Sequence, residues 1–167
     1  ELFLNHPQAL AALLRGDVEL MLTGTSQGWE NYLGGGPLVM VGTGVWGVAY
    51  LIGPPGAPPV TQPAQLRGKR LALPFPGSPL DFQTRFLLAR AGLDPDRDLR
   101  LMYAAPPQAA ALVLQGQVEA AALPEPLASQ LVQSKSLSRL LDYKAAWAAA
   151  AGGDPRSPQV SLFCTRA

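Results

Sequence analysis

The chain has 167 residues, of which 48% are hydrophobic and 15% charged, and its 17 glycines and 17 prolines interrupt regular structure often. This composition excludes a coiled coil and argues against disorder. Thirteen basic against twelve acidic side chains give a net charge of +1, which predicts no binding to nucleic acid. The single cysteine, Cys164, and the single histidine, His6, argue against an internal disulfide, a metal site and a Ser-His-Asp triad. We therefore expect no cofactor, no metal and no catalytic residue.

An internal repeat organises the chain. Residues 7–19 recur as residues 107–119, and eight of the thirteen aligned pairs are identical. Each copy predicts a helix that begins at proline and ends before a glycine in the left-handed conformation, Gly16 or Gly116. A buried strand should follow each glycine. The two predicted strands span 18–22 and 118–123. The repeat favours two related lobes, with two similar helix–strand units of a single α/β domain as the alternative.

The first predicted strand ends in a loop of small polar residues, Thr23-Gly24-Thr25-Ser26. Hydroxyl side chains and glycine let a ligand approach the backbone, and Trp29 offers a flat face for stacking. We therefore expect Thr23, Thr25 and Ser26 to bind a ligand. The alternative is a helix N-cap at Thr25 or Ser26, with Trp29 in the core.

The segment Gly42-Thr43-Gly44-Val45-Trp46-Gly47 matches the G-x-G-x-x-G pattern of dinucleotide-binding turns. The context argues against that function, because β-branched and aromatic residues and then proline follow, where the motif needs a helix N-terminus. We interpret the segment as glycine-rich backbone near a pocket, with Thr43 a candidate ligand contact. Trp46 is interpreted as a core residue or as a stacking contact, and the second interpretation makes it a candidate too.

Residues 53–59, Gly-Pro-Pro-Gly-Ala-Pro-Pro, predict a linker, because neither a helix nor a central strand passes through so many proline rings. Beyond it strands and helices alternate, which predicts a mainly parallel sheet with helices on both faces. Ligands of such sheets bind beyond the carboxyl ends of the strands. The predicted elements are strand 69–73, helix 79–91, strand 98–103, helix 107–115, strand 118–123 and helix 127–134.

Two loops of this second half follow predicted strands. In the first, Ser78 is the predicted N-cap of a helix with Pro79 at its first position, and such a helix start exposes N–H groups to a polar ligand group. In the second, Glu125 stands between two prolines. Gly77, Ser78 and Glu125 are therefore candidate ligand contacts. Plain helix capping and a solvated turn are the alternatives.

Short motifs follow one another in a characteristic order. They are Leu66-Arg67-Gly68-Lys69, Gly77-Ser78, Ala91-Gly92-Leu93-Asp94, Pro107-Gln108-Ala109, Gln115-Gly116-Gln117-Val118-Glu119-Ala120 and Pro124-Glu125-Pro126. Together they resemble the ABC-transporter solute-binding proteins, and more narrowly the branch that includes the sulfonate, nitrate and thiamine-precursor binders. The resemblance implies a bilobal periplasmic-binding-protein fold of type II, α/β in class, whose two lobes close around one solute.

The resemblance also implies a function. The expected protein is a non-catalytic, monomeric receptor that binds a small polar or heteroaromatic organic solute and presents it to an ABC permease in the membrane. Its expected location is the periplasm or another extracytoplasmic space, with a lipoprotein anchor as one way of holding it there. Acidic residues near the loops, Asp81 among them, favour a flat, polar or partly cationic solute over nitrate.

On this fold the sequence predicts four parts. Residues 1–52 form part of lobe one, 53–59 the hinge, 60–158 lobe two, and 159–167 a strand that returns to lobe one. Lobe one is expected to be incomplete, because a family member needs a first strand and helix before Glu1 and further helices after the returning strand.

Two other functions fit the same resemblance. One is a biosynthetic enzyme on the bilobal fold, which has little support because His6 and Cys164 stand outside the candidate loops. The other is the effector-binding domain of a transcriptional regulator, which a helix-turn-helix segment upstream of Glu1 would indicate.

Overall fold

The structure is a computed structural model that describes residues 2–3, 6–134 and 136–166. From the N-terminus its elements are α1 (His6–Arg15), β1 (Met21–Gly24), α2 (Thr25–Leu33), β2 (Leu38–Trp46), β3 (Ala49–Gly53), a 3-10 turn (Pro63–Leu66), β4 (Arg70–Leu73), α3 (Pro79–Arg90), β5 (Arg100–Tyr103), α4 (Pro106–Leu114), β6 (Ala120–Pro124), α5 (Leu127–Gln133), β7 (Ser138–Asp142), α6 (Tyr143–Ala150) and β8 (Pro158–Thr165). They form two units. Unit 1 holds the described residues up to Trp46 and from Pro158 onward, and unit 2 is Gly47–Ser157.

Unit 1 is built on a three-stranded sheet in the order β1-β8-β2, in which both strand pairs are antiparallel. Helices α1 and α2 contact this sheet. The buried residues that form its core are Ala9, Leu13, Met21, Leu38 and Phe163. Phe163 is the largest of these buried side chains, and Phe3 packs against the core from outside.

Unit 2 is built on a five-stranded sheet in the order β5-β4-β6-β3-β7. The side chains of β4 alternate between two hydrophobic clusters. Leu71 and Leu73 belong to the cluster that includes residues of α3, whereas Ala72 belongs to the cluster that includes residues of α4. Because successive side chains of a strand point to opposite faces, helices cover this sheet on both sides. The predicted α/β fold is therefore confirmed.

Parallel pairing is confined to one part of unit 2. Strand β4 pairs in parallel with β5 and β6, whereas β3 pairs antiparallel with β6 and β7. A parallel pair needs a crossover connection, and α3 and α4 supply it between β4, β5 and β6. The prediction of mainly parallel sheets thus holds for the β-α-β series, while the sheet of unit 1 and the other edge of unit 2 are antiparallel.

The division of the chain differs from the predicted one. Residues 49–53 form β3 and pair within unit 2, although 49–52 were assigned to lobe one and Gly53 to the hinge. The proline-rich segment 53–59 is a loop of unit 2, not a linker, because Ala57 packs against its core and the N–H of Gly56 donates to Oγ of Ser138 at 2.8 Å. The chain passes between the units at 46/47 and at 157/158.

Both copies of the repeat end their helix in the same way. Gly16 and Gly116 have positive φ angles of 79° and 68°, as predicted. In each copy the glycine N–H donates to the carbonyl three residues back, and the next N–H donates to the carbonyl five residues back. This is the Schellman motif. The strands that follow begin later than predicted, at Met21 and Ala120.

Candidate functional site

Three hydroxyl side chains form one row across the sheet of unit 1. Thr23 of β1 and Thr43 of β2 each lie opposite Ser161 of β8 in the strand register. Directly opposed residues project from the same face of an antiparallel sheet. The sheet therefore brings two of the predicted ligand contacts to one level, on either side of a serine.

Ser161 links two of the predicted contacts by hydrogen bonds. Its Oγ lies 2.7 Å from Oγ1 of Thr25 and 2.9 Å from Oγ1 of Thr43. Ser161 and Thr25 are buried, whereas Thr43 is half-buried. Each hydroxyl carries one proton, so the two hydrogen bonds within this chain of three hydroxyls use two protons. Oγ1 of Thr43 also donates a long hydrogen bond to Sδ of Met40 at 4.0 Å, a weak partner that a ligand oxygen can replace. Thr43 is the accessible end of the chain.

Strand β2 is irregular on both sides of Thr43. Its register with β8 shifts between Met40 and Gly42, and again between Thr43 and Val45. Bulges of this kind bend a strand and re-aim its side chains, and they are frequent beside binding sites. A Cβ added at Gly42 or Gly44 would meet no atom within 4 Å. The backbone around Thr43 is therefore open to a close approach.

Thr23 is bonded to the single histidine of the chain. Its buried Oγ1 forms a hydrogen bond with Nδ1 of His6, the first residue of α1. The hydroxyl of Thr23 is thus engaged by a helix of its own unit. His6, which was expected to stand apart from the candidate loops, lies beside the row of hydroxyls.

Helix α2 begins at Thr25, with Gly24 as its N-cap and no side-chain cap hydrogen bond. An N-cap at Thr25 or Ser26 is therefore wrong, because both residues lie inside the first turn. The start of a helix presents N–H groups and the positive end of the dipole, which favour an acceptor or anionic group of a ligand. Core positions are wrong for both tryptophans, since Trp29 is 53% exposed and Trp46 is 43% exposed.

In unit 2, Ser78 caps α3 as predicted. Its Oγ accepts a hydrogen bond from the N–H of Asp81 at 3.1 Å, and Oδ2 of Asp81 accepts one from the N–H of Gly77 at 2.8 Å. Ser78 and Asp81 are both buried. The N–H of Gly77 and the hydroxyl of Ser78, which were predicted to contact a ligand, are therefore already hydrogen-bonded within this loop and the first turn of α3.

Asp81 is the centre of a charged network. Its Oδ1 accepts hydrogen bonds from Nε of Arg85 at 3.0 Å and from the hydroxyl of Tyr103 at 3.1 Å. Arg85 also donates to Tyr103 and to Asp96. The hydrogen bond with Tyr103, above all, holds the pKa of Arg85 above its ordinary value, and burial raises the pKa of Tyr103. The charge of Asp81 is compensated by Arg85, so it gives no support to a cationic solute.

The side chain of Glu125 is hydrogen-bonded to the first turn of α5. Its carboxylate accepts hydrogen bonds from the N–H of Ser129 at 3.1 Å and from the Ser129 hydroxyl at 2.6 Å, and its own N–H donates to the carbonyl of Val48 at 2.9 Å. The residue is half-buried. A simple solvated turn is therefore wrong, because the carboxylate is held by the helix that follows.

The eight predicted contacts thus fall into separate groups. In unit 1 the structure gathers Thr25 and Thr43 around Ser161, with Thr23 in the same row. In unit 2 it keeps Gly77 and Ser78 together at the start of α3, and Glu125 at the start of α5. Ser26 follows Thr25 in the first turn of α2, and Trp46 ends β2.

Two polar residues of β8, Gln159 and Ser161, were not predicted. They alternate with Phe163 on the buried face of the strand. A polar residue in the buried phase of a strand is uncommon and usually needs a hydrogen-bond partner. That alternation is visible in the sequence, and it is the signal that would have found them.

Among the described residues, no group of three His, Cys, Asp or Glu side chains is placed to hold a metal ion. Over the same residues, no helix has the length and the apolar character that crossing a bilayer requires.

The α/β fold of the chain matches that of periplasmic binding proteins. The model of the NMT1-like family matches residues 43–144, and the chain belongs to this family. The family suggested by the sequence motifs is thereby confirmed.

Solved structures are similar over nearly the whole chain. The periplasmic aliphatic sulphonate binding protein SsuA from Escherichia coli is 25% identical with a TM-score of 0.76, and the match covers 96% of this chain and 52% of that one. The alkanesulfonate-binding protein SsuA from Xanthomonas axonopodis pv. citri, bound to MOPS, is 26% identical with a TM-score of 0.70 and the same coverages. The chain therefore spans about half the length of these proteins.

A more distant structure shares the fold alone. PhnD1 from Prochlorococcus marinus, in complex with methylphosphonate, is 12% identical with a TM-score of 0.70 over 98% of this chain and 62% of that one. A search of curated proteins found no match.

Proposed function

We propose that the chain is part of the solute-binding receptor of an ABC importer, which binds a small polar organic solute outside the cytoplasm and presents it to a membrane permease. The family and the likeness to two sulfonate-binding proteins support this proposal. The observation that carries it is the hydrogen-bonded chain of Thr25, Ser161 and Thr43 at the start of α2. Such a group is suited to binding the polar end of a small solute, and the solved structures that are similar to the chain are named as binding proteins, which favours a receptor over an enzyme.

A sulfonate is the first candidate for the head group of the solute. Sulfonate oxygens accept hydrogen bonds, and the site in unit 1 offers hydroxyl donors together with the positive end of a helix. The two solved structures that are 25% and 26% identical are named as binders of sulfonates. We therefore propose Thr23, Thr25, Ser26 and Thr43 as the contacts of an oxyanion.

A flat heteroaromatic solute is the second candidate. Trp46 is 43% exposed at the end of β2, close in sequence to Thr43 and to two glycines with open space beside them. An exposed indole ring stacks well on a planar molecule. On this alternative Trp46 contributes most of the affinity, and Thr43 orients the polar edge of the ring.

Gly77, Ser78 and Glu125 are the proposed contacts of unit 2. Each of them is hydrogen-bonded to a neighbouring residue of that unit. A solute that bonds to them must share or replace those partners. We therefore expect their replacement to affect affinity less than replacement of Thr43.

Native mass spectrometry of the protein purified without refolding tests the receptor proposal. We expect a retained small mass, or binding of MOPS, methanesulfonate or a heteroaromatic compound in isothermal titration. Thr43→Val should weaken that binding about tenfold, the value of one hydrogen bond to a charged group. Thr61→Val, an exposed threonine of unit 2, is the matched control. No retained mass and no binding across a broad panel of metabolites would contradict the proposal.

A further inference from the structure

The side-chain amide of Gln159 is buried with its donor unused. The residue is 7% exposed, and Nε2 has no hydrogen-bond partner among the described residues. A buried donor without a partner costs free energy that a bonded donor does not, and such groups are rare in folded proteins. A glutamine held in this way therefore calls for an explanation.

The position of Gln159 follows from the pattern of β8. Gln159, Ser161 and Phe163 are its buried residues, so they lie on one face of the strand. Phe163 packs below Gly28, in the middle of α2, and Ser161 is bonded to Thr25, the first residue of that helix. The face thus runs toward the N-terminus of α2. Gln159 comes about 7 Å further along the strand, past the start of the helix.

The polar groups along this face are all uncharged. They are the Nε2 group of Gln159, the hydroxyls of Thr25, Ser161 and Thr43, and the N–H groups at the start of α2. Strand β8 is also bulged at Gln159, since Val45 pairs with Val160 and Trp46 pairs with Pro158. A bulge re-aims the side chain of the extra residue.

We infer that Gln159 is a solute-binding residue of unit 1, and that its Nε2 group donates a hydrogen bond to an acceptor oxygen of the solute. This inference rests on the proposed receptor function and adds to it a contact and a chemical requirement. The solute must carry an oxygen acceptor that reaches Gln159 as well as Thr43. A sulfonate, with three oxygens on one centre, meets this requirement.

A residue kept for binding and one kept for stability respond oppositely to an apolar replacement. In Gln159→Leu the unused donor is gone, so we expect the melting temperature to rise by about 2 to 4 °C. The affinity for MOPS and methanesulfonate should fall about tenfold or more, since a hydrogen bond to a charged group is lost. A purely structural glutamine would give a lower melting temperature and an unchanged affinity.

The variant Gln159→Glu tests whether residue 159 donates a hydrogen bond to the solute or accepts one from it. At neutral pH a carboxylate accepts hydrogen bonds and repels an anion, so this variant should bind MOPS more weakly than Gln159→Leu does. Thr165→Val, a half-buried threonine at the far end of β8, is the control for changes in the strand. Both measurements use isothermal titration and thermal unfolding of the same purified protein.

Each outcome decides the matter. Weaker binding by Gln159→Leu at equal or higher stability, with Thr165→Val unchanged, supports the inference. Gln159→Leu with unaltered affinity overturns it and assigns the amide to a buried water, while the receptor function stands. Tighter binding by Gln159→Glu overturns the donor role, again without touching the receptor function. An unaltered protein that binds no solute at all overturns both proposals together.

Discussion

Units 1 and 2 satisfy their buried polar groups in different ways. In unit 1 the groups are neutral, and hydroxyls bond to one another, as in the pair of Thr25 and Ser161. Unit 2 also holds a neutral pair, Thr84 with Tyr143 at 2.6 Å, but it adds a buried carboxylate in the network of Asp81 with Arg85 and Tyr103. A neutral hydroxyl can exchange one partner for a solute oxygen at small cost, whereas a buried carboxylate cannot leave its partners without a large one.

This difference suggests that the polar groups of the two units have different roles, solute binding in unit 1 and stability in unit 2. The groups of unit 1 are adaptable donors at the start of a helix, and those of unit 2 make a fixed frame around the loop of Gly77 and Ser78. We therefore expect substitutions of the charged residues of unit 2 to change mainly the stability. Substitutions of the hydrogen-bonded threonines and serine of unit 1 should change mainly the affinity for the solute.

Asp81→Asn should give the largest loss of stability. The carboxylate is almost fully buried and accepts hydrogen bonds from Gly77, Arg85 and Tyr103. A neutral amide leaves Arg85 without its buried partner and offers one acceptor oxygen instead of two. We expect the free energy of unfolding to fall by about 3 kcal/mol, the lower end of what breaking a buried ion pair costs. Urea denaturation measures it.

Asp96→Asn is the matched control for that experiment. Asp96 pairs with the same arginine at 2.9 Å, but its side chain is 72% exposed. Solvent-exposed ion pairs contribute little, so this change should alter stability by less than about 1 kcal/mol. Equal losses in the two variants would show that unit 2 does not depend on its buried carboxylate, and the contrast between the units would disappear.

Gly28→Ala tests the packing of unit 1. A Cβ at this position of α2 would overlap the ring of Phe163, the buried aromatic residue at the centre of the core. Overpacking of this kind costs about 1 to 3 kcal/mol, against a gain in helix propensity of about 1 kcal/mol. Because several ring atoms of Phe163 would lie well inside contact distance of the added Cβ, we expect the cost at the upper end, a net loss of about 2 kcal/mol in unfolding free energy, and partial recovery when Phe163→Leu is added.

Gly42→Ala provides the control for Gly28→Ala. An added Cβ at Gly42 of β2 meets no atom within 4 Å. Its effect on unfolding free energy should stay within about 0.5 kcal/mol. If Gly28→Ala lowers the unfolding free energy as little as Gly42→Ala does, the core of unit 1 has room for the added methyl group. Tight packing would then not be a source of stability in unit 1.

Local patterns predicted the elements of this fold well. The left-handed conformation of Gly116 and the cap at Ser78 were evident in the sequence because each depends on a few adjacent residues. The boundary between the units was not, since residues 49–53 join unit 2 through pairing with strands about 70 to 90 positions later. A proline-rich segment marks a loop, but it does not say to which unit the loop belongs.

The candidate site was predicted in part for the same reason. Thr25 and Thr43 stood out because small polar residues next to glycine are a local signal. Ser161 and Gln159 lie more than 110 positions later in the chain, and only the register of β8 with β1 and β2 brings them to that place. The engagement of Asp81 with Gly77 could not be seen either, because it depends on the rotamer of one buried side chain.

Glu119→Gln sharpens the contrast between the units through pH. Hydrogen bonds from Arg70, at 2.7 Å from both the backbone N–H and the guanidinium, lower the pKa of Glu119 to about 2. A carboxyl whose pKa is depressed in the folded state stabilises that state above its ordinary pKa of 4.5, and the contribution fades as the pH falls through the folded value. The unaltered protein should therefore exceed Glu119→Gln in stability at pH 7, and the gap should close between about pH 4.5 and 2.

Glu19 is the counterpart of Glu119 in the other copy of the repeat, and it provides the control within the same chain. Glu19 is exposed, and no ion pair found within the described part of the chain involves it. Glu19→Gln should therefore leave unfolding curves unchanged at pH 7 and at pH 3. The Glu119 effect should be the smallest of the three, because both members of its ion pair are about 40% exposed and water screens their attraction. If the pH-dependent difference in stability between the unaltered protein and the variant were equal for both glutamates, the two copies of the repeat would have the same electrostatic contribution. The contrast between a neutral unit 1 and a charged unit 2 would then be wrong.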